Sequence, residues 1–193
     1  MIKNLLLNKF YIASYLYRKQ FKYCGKGVKV YLPYLALSKK NISISDRTEI
    51  LPGARIQSYI SNGKNPNIII GKNCYFSYNL SILAGDDIAI DDYVLIASNV
   101  LITSETHGMD PLNEIPYMDQ PLSVKSVHIK QGCWIGEKVC ILPGVTIGEK
   151  SIIGAGSIVT KSIPDYCIAV GNPAKVIKKY NFEKKNWEKY NGE

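Results

Sequence analysis

Histidine is scarce in this chain, with only His107 and His128 among its 193 residues. Two imidazoles argue against a zinc centre built on three histidines. The five cysteines form no C-x-x-C pair, and their odd number fits no disulfide framework. The chain therefore reads as a cytoplasmic protein with free thiols and no metal. It has no P-loop and no dinucleotide-binding glycine fingerprint. No serine stands in a G-x-S-x-G elbow, which removes the common hydrolase nucleophile. Long apolar runs are also missing. Asn4, Asn8 and Lys9 break the first apolar stretch, so it is too interrupted to span a bilayer. No small-residue cleavage site follows it, as a signal peptide would need. Regular outward threonine arrays, the mark of an ice-binding surface, are absent.

Acidic residues are missing from one whole region. Residues 1–45 carry nine Lys/Arg and no Asp or Glu, while the remainder carries fifteen basic and sixteen acidic residues. The net charge of +8 therefore belongs to the N-terminal region. No nucleic-acid-binding motif accompanies it, so nucleic acid is a poor partner. Leu6, Phe10, Ala13, Leu16 and Tyr17 approximate one helical face, with Lys9, Arg18, Lys19 and Lys22 off it. Residues 1–41 are expected to form a basic amphipathic segment that begins as a helix. Two roles stay open for it. Residues 1–23 can touch an anionic surface at the inner face of a membrane, or the helix can pack on the first turn of the domain that follows.

What is abundant is a six-residue period. Ile129, Ile135, Ile141, Ile147, Ile153 and Val159 follow one another at intervals of six without a break. Helices repeat near 3.6 residues and strands at 2, so neither element gives this spacing. A short strand plus a corner, repeated, does. Three such units close a triangular coil, the architecture of the hexapeptide parallel β-helix. The frame continues upstream in sets: Ile44, Ile50 and Ile56; Ile70, Phe76, Ile82 and Ile88; Ile90, Ile96 and Ile102. The position four after each aliphatic is usually small or β-branched, as at Ala54, Cys74, Val94, Val100, Thr106, Cys133 and Val139, which suits a narrow interior. Cys74 and Cys133 are accordingly expected in the core. Leu80 and Asp86 break that rule, and residues 80–87 are expected to form a distorted corner. The position just after the aliphatic is often glycine, at Gly71, Gly136, Gly148 and Gly154, and glycine tolerates unusual corner angles. These features place an all-β domain over residues 42–172. A cap over residues 173–193, containing a short C-terminal helix, closes the last coil. The largest excursion, residues 103–126, is rich in Pro, Asp, Asn and Ser. Loops of such length in compact domains are usually functional.

The two histidines differ. His128 lies between inward Val127 and Ile129, so alternation turns it to the surface, away from catalysis. His107 stands where the regular coil gives way to the long loop. A lone imidazole near neutrality can take a proton from a hydroxyl as that hydroxyl attacks an activated acyl group. No protein nucleophile is then required.

Four stretches carry a family resemblance. They are Trp134-Ile135-Gly136, Ile141-Leu142-Pro143-Gly144-Val145-Thr146-Ile147-Gly148, Ile153-Gly154-Ala155-Gly156-Ser157-Ile158-Val159-Thr160-Lys161 and Gly171-Asn172-Pro173-Ala174-Lys175-Val176-Ile177. They resemble the hexapeptide-repeat acyltransferases, and within them the galactoside/maltose and surface-polysaccharide O-acetyltransferases. The resemblance covers about residues 42–180. It implies a left-handed β-helix, a homotrimer with sites between neighbouring prisms, and acetyl-CoA as co-substrate. It implies His107 as the catalytic base and Asn79 as a ligand of the acceptor sugar, helped by Asp86 or Asp87. Ala155, Thr160 and Lys161 match donor-binding positions, Lys161 and Lys175 would meet CoA phosphates, and Trp134 matches an aromatic near the cleft. An acid orienting His107 is expected. Glu105, Asp110, Glu114 and Asp119 are candidates, with Glu114 preferred. Glu137 departs from the small polar residue common at its position. The helical N-terminal domain of the galactoside and maltose enzymes has no match, which points to a glycan made at the membrane. The expected reaction is acetyl transfer from acetyl-CoA to a sugar hydroxyl in capsule or lipopolysaccharide biosynthesis. The alternatives are acetylation of an amino-sugar nitrogen or serine, and a non-catalytic β-helical scaffold.

Overall fold

The computed structural model describes residues 18–190. The expected N-terminal helix falls on residues up to Tyr17, outside the described residues. Helical structure among the described residues is limited to two 3-10 turns, Arg18–Gln20 and Lys39–Asn41. The body is a parallel β-helix. The chain visits a first, a second and a third face in turn, and six strands stack on the first and on the third. One coil therefore lies directly on the next, in parallel register. On the first face Ile42, Ile68, Ile88 and Val127 stand above one another. On the second, Ile50, Phe76, Ile96, Ile135 and Ile153 do the same.

These columns are the core. Every aliphatic of the period between Ile129 and Val159 is fully buried. The small positions four residues on, including Ala54, Cys74, Val100, Cys133 and Val139, fill the space between them. Thr106 is the exception, lying half-buried at the root of the long loop rather than in the prism. Leu80 also differs from expectation. It is fully buried beside a regular strand, Ser81–Ala84, so the irregular corner is confined to residues 85–87.

The β-helix begins one coil before residue 42. Tyr23–Cys24, Lys29–Val30 and Leu35–Leu37 pair in parallel with the coil that follows. Its inward positions are Cys24, Val30 and Ala36, which keep the six-residue frame. Two of the three are small, so the aliphatic period does not reveal them.

The glycines after the inward aliphatics serve a different purpose from the one expected. Gly136 does not have a positive φ. A Cβ there would lie 2.6 Å from the Ala155 backbone nitrogen. At Gly148 it would lie 2.2 Å from the Asp165 nitrogen. Glycine here allows one coil to sit closely on the next. The left-handed backbone falls two residues later. Arg47, Asn73, Tyr93 and Lys150 form such a column at the corner of the first and second faces. Asn79, Asn99 and Lys138 form another at the corner of the second and third.

The C-terminal end is a β-hairpin, not a helix. Ala174–Asn181 pairs antiparallel with Cys167–Gly171 and then with Asn186–Lys189. An open sheet edge follows the last coil, and an exposed edge is more stable when paired. Val176 packs against the core. Tyr180 meets Phe182 and Trp187 edge to face, at centroid distances of 5.2 and 5.3 Å. The Asn181 side chain accepts hydrogen bonds from the Glu183 and Lys184 amides, each 3.0 Å, and so closes the turn.

Candidate functional site

The long loop leaves the third face after Thr103 and returns to the first at Val127. Its two arms are clasped by a short antiparallel pair, Glu105–Thr106 with Ser123–Val124. Ser104, fully buried, anchors the outgoing arm. Its hydroxyl donates to the Asp86 carbonyl at 2.7 Å and accepts from the Asp86 amide at 3.0 Å. Gln120, also buried, organises the loop beyond the clasp. Its amide group bonds the Asp110 carbonyl and the Ile115 carbonyl, both at 3.0 Å, and its Oε1 accepts from the Asp110 amide at 3.1 Å. His107 is exposed at the mouth of this loop, one residue past the clasp.

A second excursion, residues 59–67, supports the same corner. Tyr59 donates from its hydroxyl to Glu105 Oε1 at 2.6 Å. Asn62 Nδ2 donates to the Leu122 carbonyl at 3.0 Å. Lys64 forms an ion pair with Asp86, and that hydrogen bond holds the Asp86 carboxyl below the usual carboxylate range. Asp87 accepts from the Asn67 amide at 2.7 Å. Asp86 and Asp87 therefore share the corner with the loop mouth. Glu114 lies elsewhere, exposed on the outer loop in a shallow depression with Asp110, Ile115 and Tyr117. Among the described residues no hydrogen bond joins it to His107. Sequence reasoning missed Tyr59 and Asn62. The available signal was the break in the period between Ile56 and Ile68.

Two coils along the same prism edge is a cavity of about 450 Å³. Successive strands lie ~4.8 Å apart, so two coils correspond to roughly 10 Å. Thr160, Lys161 and Lys175 line this cavity together, with Ser162, Pro173 and Tyr190. Tyr190 reaches it only because the C-terminal segment folds back as a hairpin, which the sequence did not signal.

The other expected site residues lie apart within one chain. Asn79 sits at the corner of the second and third faces with φ of 60°. Its Nδ2 donates to Asn99 Oδ1 at 3.1 Å, and Asn99 Nδ2 donates to Glu137 Oε1 at 3.4 Å. This amide ladder gives Glu137 a structural partner. Ala155 is exposed on the same edge. Trp134, half-exposed, stands on the second face in a column with Tyr75, Leu95 and Ile152. His128 points outward as expected and meets Asp91 Oδ1 at 2.9 Å. Cys74 and Cys133 are buried, and burial pushes the Cys133 thiol up to about 12. Among the described residues, no cluster of three or more His, Cys, Asp or Glu could hold a metal ion. No helix there is long and apolar enough to cross a membrane.

Comparison with known proteins gives this geometry a family. Residues 126–161 match the bacterial transferase hexapeptide model of six repeats. A galactoside O-acetyltransferase of Escherichia coli (strain K12) is 41% identical over 129 residues, which is 67% of this chain and 61% of that protein. The chain spans less than two thirds of the length of the curated relatives it matches. The crystal structure of a maltose O-acetyltransferase from Clostridium difficile 630 is 30% identical, with a TM-score of 0.61, covering 87% of this chain and 74% of that one. A mutant of AntD, an N-acyltransferase from Bacillus cereus, solved with dTDP and coenzyme A, superposes with a TM-score of 0.75 at 25% identity, covering 91% and 93%. The parallel coils and these neighbours are consistent with a left-handed β-helix. With its repeat frame, stacked coils and relatives taken together, the chain belongs to the hexapeptide-repeat acyltransferase family.

Proposed function

We propose that the protein transfers an acetyl group from acetyl-CoA to a sugar hydroxyl, in the cytoplasm and in surface-polysaccharide biosynthesis. One observation carries this reading. A single edge of the prism presents an exposed imidazole at a clasped loop mouth and, two coils on, a cavity lined by Lys161 and Lys175. An extended donor with phosphates at one end and a thioester at the other suits that layout. The two ammonium groups would meet the phosphates, and the pantetheine arm would run along the edge toward His107.

The chemistry follows from the groups present. His107 takes the proton of the acceptor hydroxyl as its oxygen attacks the thioester carbonyl. The tetrahedral intermediate then collapses, the C–S bond breaks, and the imidazolium returns the proton to the departing thiolate. A positioned base contributes about 10²–10⁴-fold. Asp86 and Asp87, at the same corner, would accept hydrogen bonds from sugar hydroxyls.

Asn79, Ala155 and Trp134 enter the reading only through a second copy of the chain. They lie on another edge or face of the same prism. In a homotrimer, edges and faces of neighbouring prisms meet, which would bring these residues toward the mouth and cavity. Burial of the exposed Tyr75, Leu95 and Trp134, with the half-buried Ile152 of the same column, would supply an apolar contact.

The test follows CoA thiol release across free sugars, nucleotide sugars and lipid-linked oligosaccharides, with His107→Ala in parallel. Acceptor-dependent release that falls about 10²–10⁴-fold in the variant is the expected result. Undiminished release from His107→Ala would refute the mechanism. Acetylation of an amino-sugar nitrogen is the second reading, favoured by the match to AntD along nearly its whole length. An amino sugar as the preferred acceptor, with weak dependence on His107, would select it, because a neutral amine needs a base less.

A further inference from the structure

The residue that orients His107 can be chosen from the geometry of the loop mouth. We infer that Glu105, not Glu114, is the carboxylate that orients the imidazole, and that Tyr59 is the positioning residue that holds Glu105 in place. The inference rests on His107 acting as the base.

Glu105 opens the outgoing arm of the clasp, and His107 stands two residues on, one past the end of that arm at Thr106. An extended backbone carried one residue past Thr106 would put the two side chains on the same side, since side chains alternate along it. The Glu105 stem is confined, since a Cβ built at Gly85 would lie only 2.7 Å from the Glu105 Cβ. Oε1 is taken by the Tyr59 hydroxyl at 2.6 Å. Among the described residues no group donates to Oε2 and no hydrogen bond joins Glu105 to His107, so a small turn of the imidazole toward that oxygen is part of the inference. Tyr59 is suited to a fixed donor role. Burial first, and then the Glu105 carboxylate, raise its hydroxyl well above the ordinary tyrosine range, so it keeps its proton.

Glu114 has none of these features. It is exposed on the outer loop, between the Asp110 and Ile115 carbonyls that Gln120 holds.

The chemistry needs such a partner. A neutral imidazole carries one N–H and one basic nitrogen, and the group accepting the N–H decides which nitrogen stays free. A carboxylate accepting from Nδ1 leaves Nε2 as the base and steadies the imidazolium that forms. The excursion carrying Tyr59 also braces the returning arm, through Asn62 on the Leu122 carbonyl, and the corner, through Lys64 on Asp86. One short segment thus fixes both sides of the mouth.

The experiment compares Glu105→Gln, Glu114→Gln, Tyr59→Phe and His107→Ala by steady-state kinetics and by ¹⁵N NMR of the histidine rings. With only two histidines, His107→Ala assigns the spectrum. Glu105→Gln should lower kcat by about 10–100-fold, part of the contribution of a positioned base, with KM for acetyl-CoA unchanged within about twofold. Its His107 ring signals should shift from one tautomer to a mixture. Tyr59→Phe should lower kcat less and move the same signals in the same direction. A Glu105→Gln enzyme with kcat within about twofold of wild type and unchanged ring signals would overturn the inference while an inactive His107→Ala kept the base. Loss confined to Glu114→Gln would assign the role to the outer loop instead. A fully active His107→Ala would remove the mechanism on which the inference stands.

Discussion

Two glycine-to-alanine substitutions at the corner of the second and third faces separate two physical effects. At Gly136 the added methyl would lie 2.6 Å from the Ala155 nitrogen, 2.8 Å from the Ile153 carbonyl oxygen and 3.0 Å from the Ala155 Cα. All three are backbone atoms of the next coil, so no rotamer change relieves the clash. The coils must part, which strains the Gly136 N–H bond to the Ile153 carbonyl at 2.8 Å and the Gly156 N–H bond to the Glu137 carbonyl at 2.7 Å. Overpacking costs about 1–3 kcal/mol, and each of the two weakened hydrogen bonds adds about 1 kcal/mol, so roughly 3–5 kcal/mol is expected. At Gly156 the methyl would meet nothing within 4 Å, but φ is +71°. Only the left-handed backbone cost of about 1–2 kcal/mol applies there. For a domain of this size 1 kcal/mol moves Tm by about 2–4 °C, so Gly136→Ala should melt about 6–20 °C lower and Gly156→Ala about 2–8 °C lower. Circular dichroism melts, with urea unfolding of the same variants, read the difference. Equal losses in the two variants, or a Gly136→Ala protein as stable as wild type, would refute the claim that the glycines after the inward aliphatics set coil spacing.

Further predictions concern the donor cavity and the buried thiols. Lys161→Ala and Lys175→Ala should each raise KM for acetyl-CoA with a smaller effect on kcat, and added salt should blunt the difference, since screening weakens point-charge contacts with phosphate. Tyr190→Ala should raise the same KM without that salt dependence, because the ring contributes contact area rather than charge. Lysine variants with unchanged KM would move the donor away from this cavity. Thiol labelling of the folded protein at pH 8 should spare Cys74 and Cys133, whose burial raises their pKa and so suppresses the reactive thiolate. A thiol with a raised folded pKa favours the folded state below the unfolded value, and that contribution is lost as pH rises from the ordinary thiol range toward about 12 for Cys133. Rapid labelling of Cys133 at pH 8 in the folded state would contradict its placement.

The architecture was legible because a repeat writes the same constraint many times. Each coil needs one inward aliphatic per face, so Ile129 to Val159 announce the β-helix whatever surrounds them. The same logic hid the first coil, since Cys24 and Ala36 keep the spacing but not the hydrophobic signal. It also misdirected the reading of glycine. Sequence shows that Gly136 is small, but the 2.6 Å approach that requires this is a relation between two coils. The C-terminal helix failed because Ala174–Asn181 takes its form from the open edge of Cys167–Gly171, a partner outside its own residues.

The site divides in the same way. The solenoid, the place where a long loop interrupts it and the histidine at that interruption are all readable along the chain, because the first is a fixed period and the other two are local departures from it. Folding in three dimensions brings Tyr59 to Glu105 across 46 positions, gives Lys161 and Tyr190 one cavity, and sets Asn79 on a different edge from His107. Stacking turns distance along the chain into position around and along a prism, and position on that prism is what brings chemical groups together.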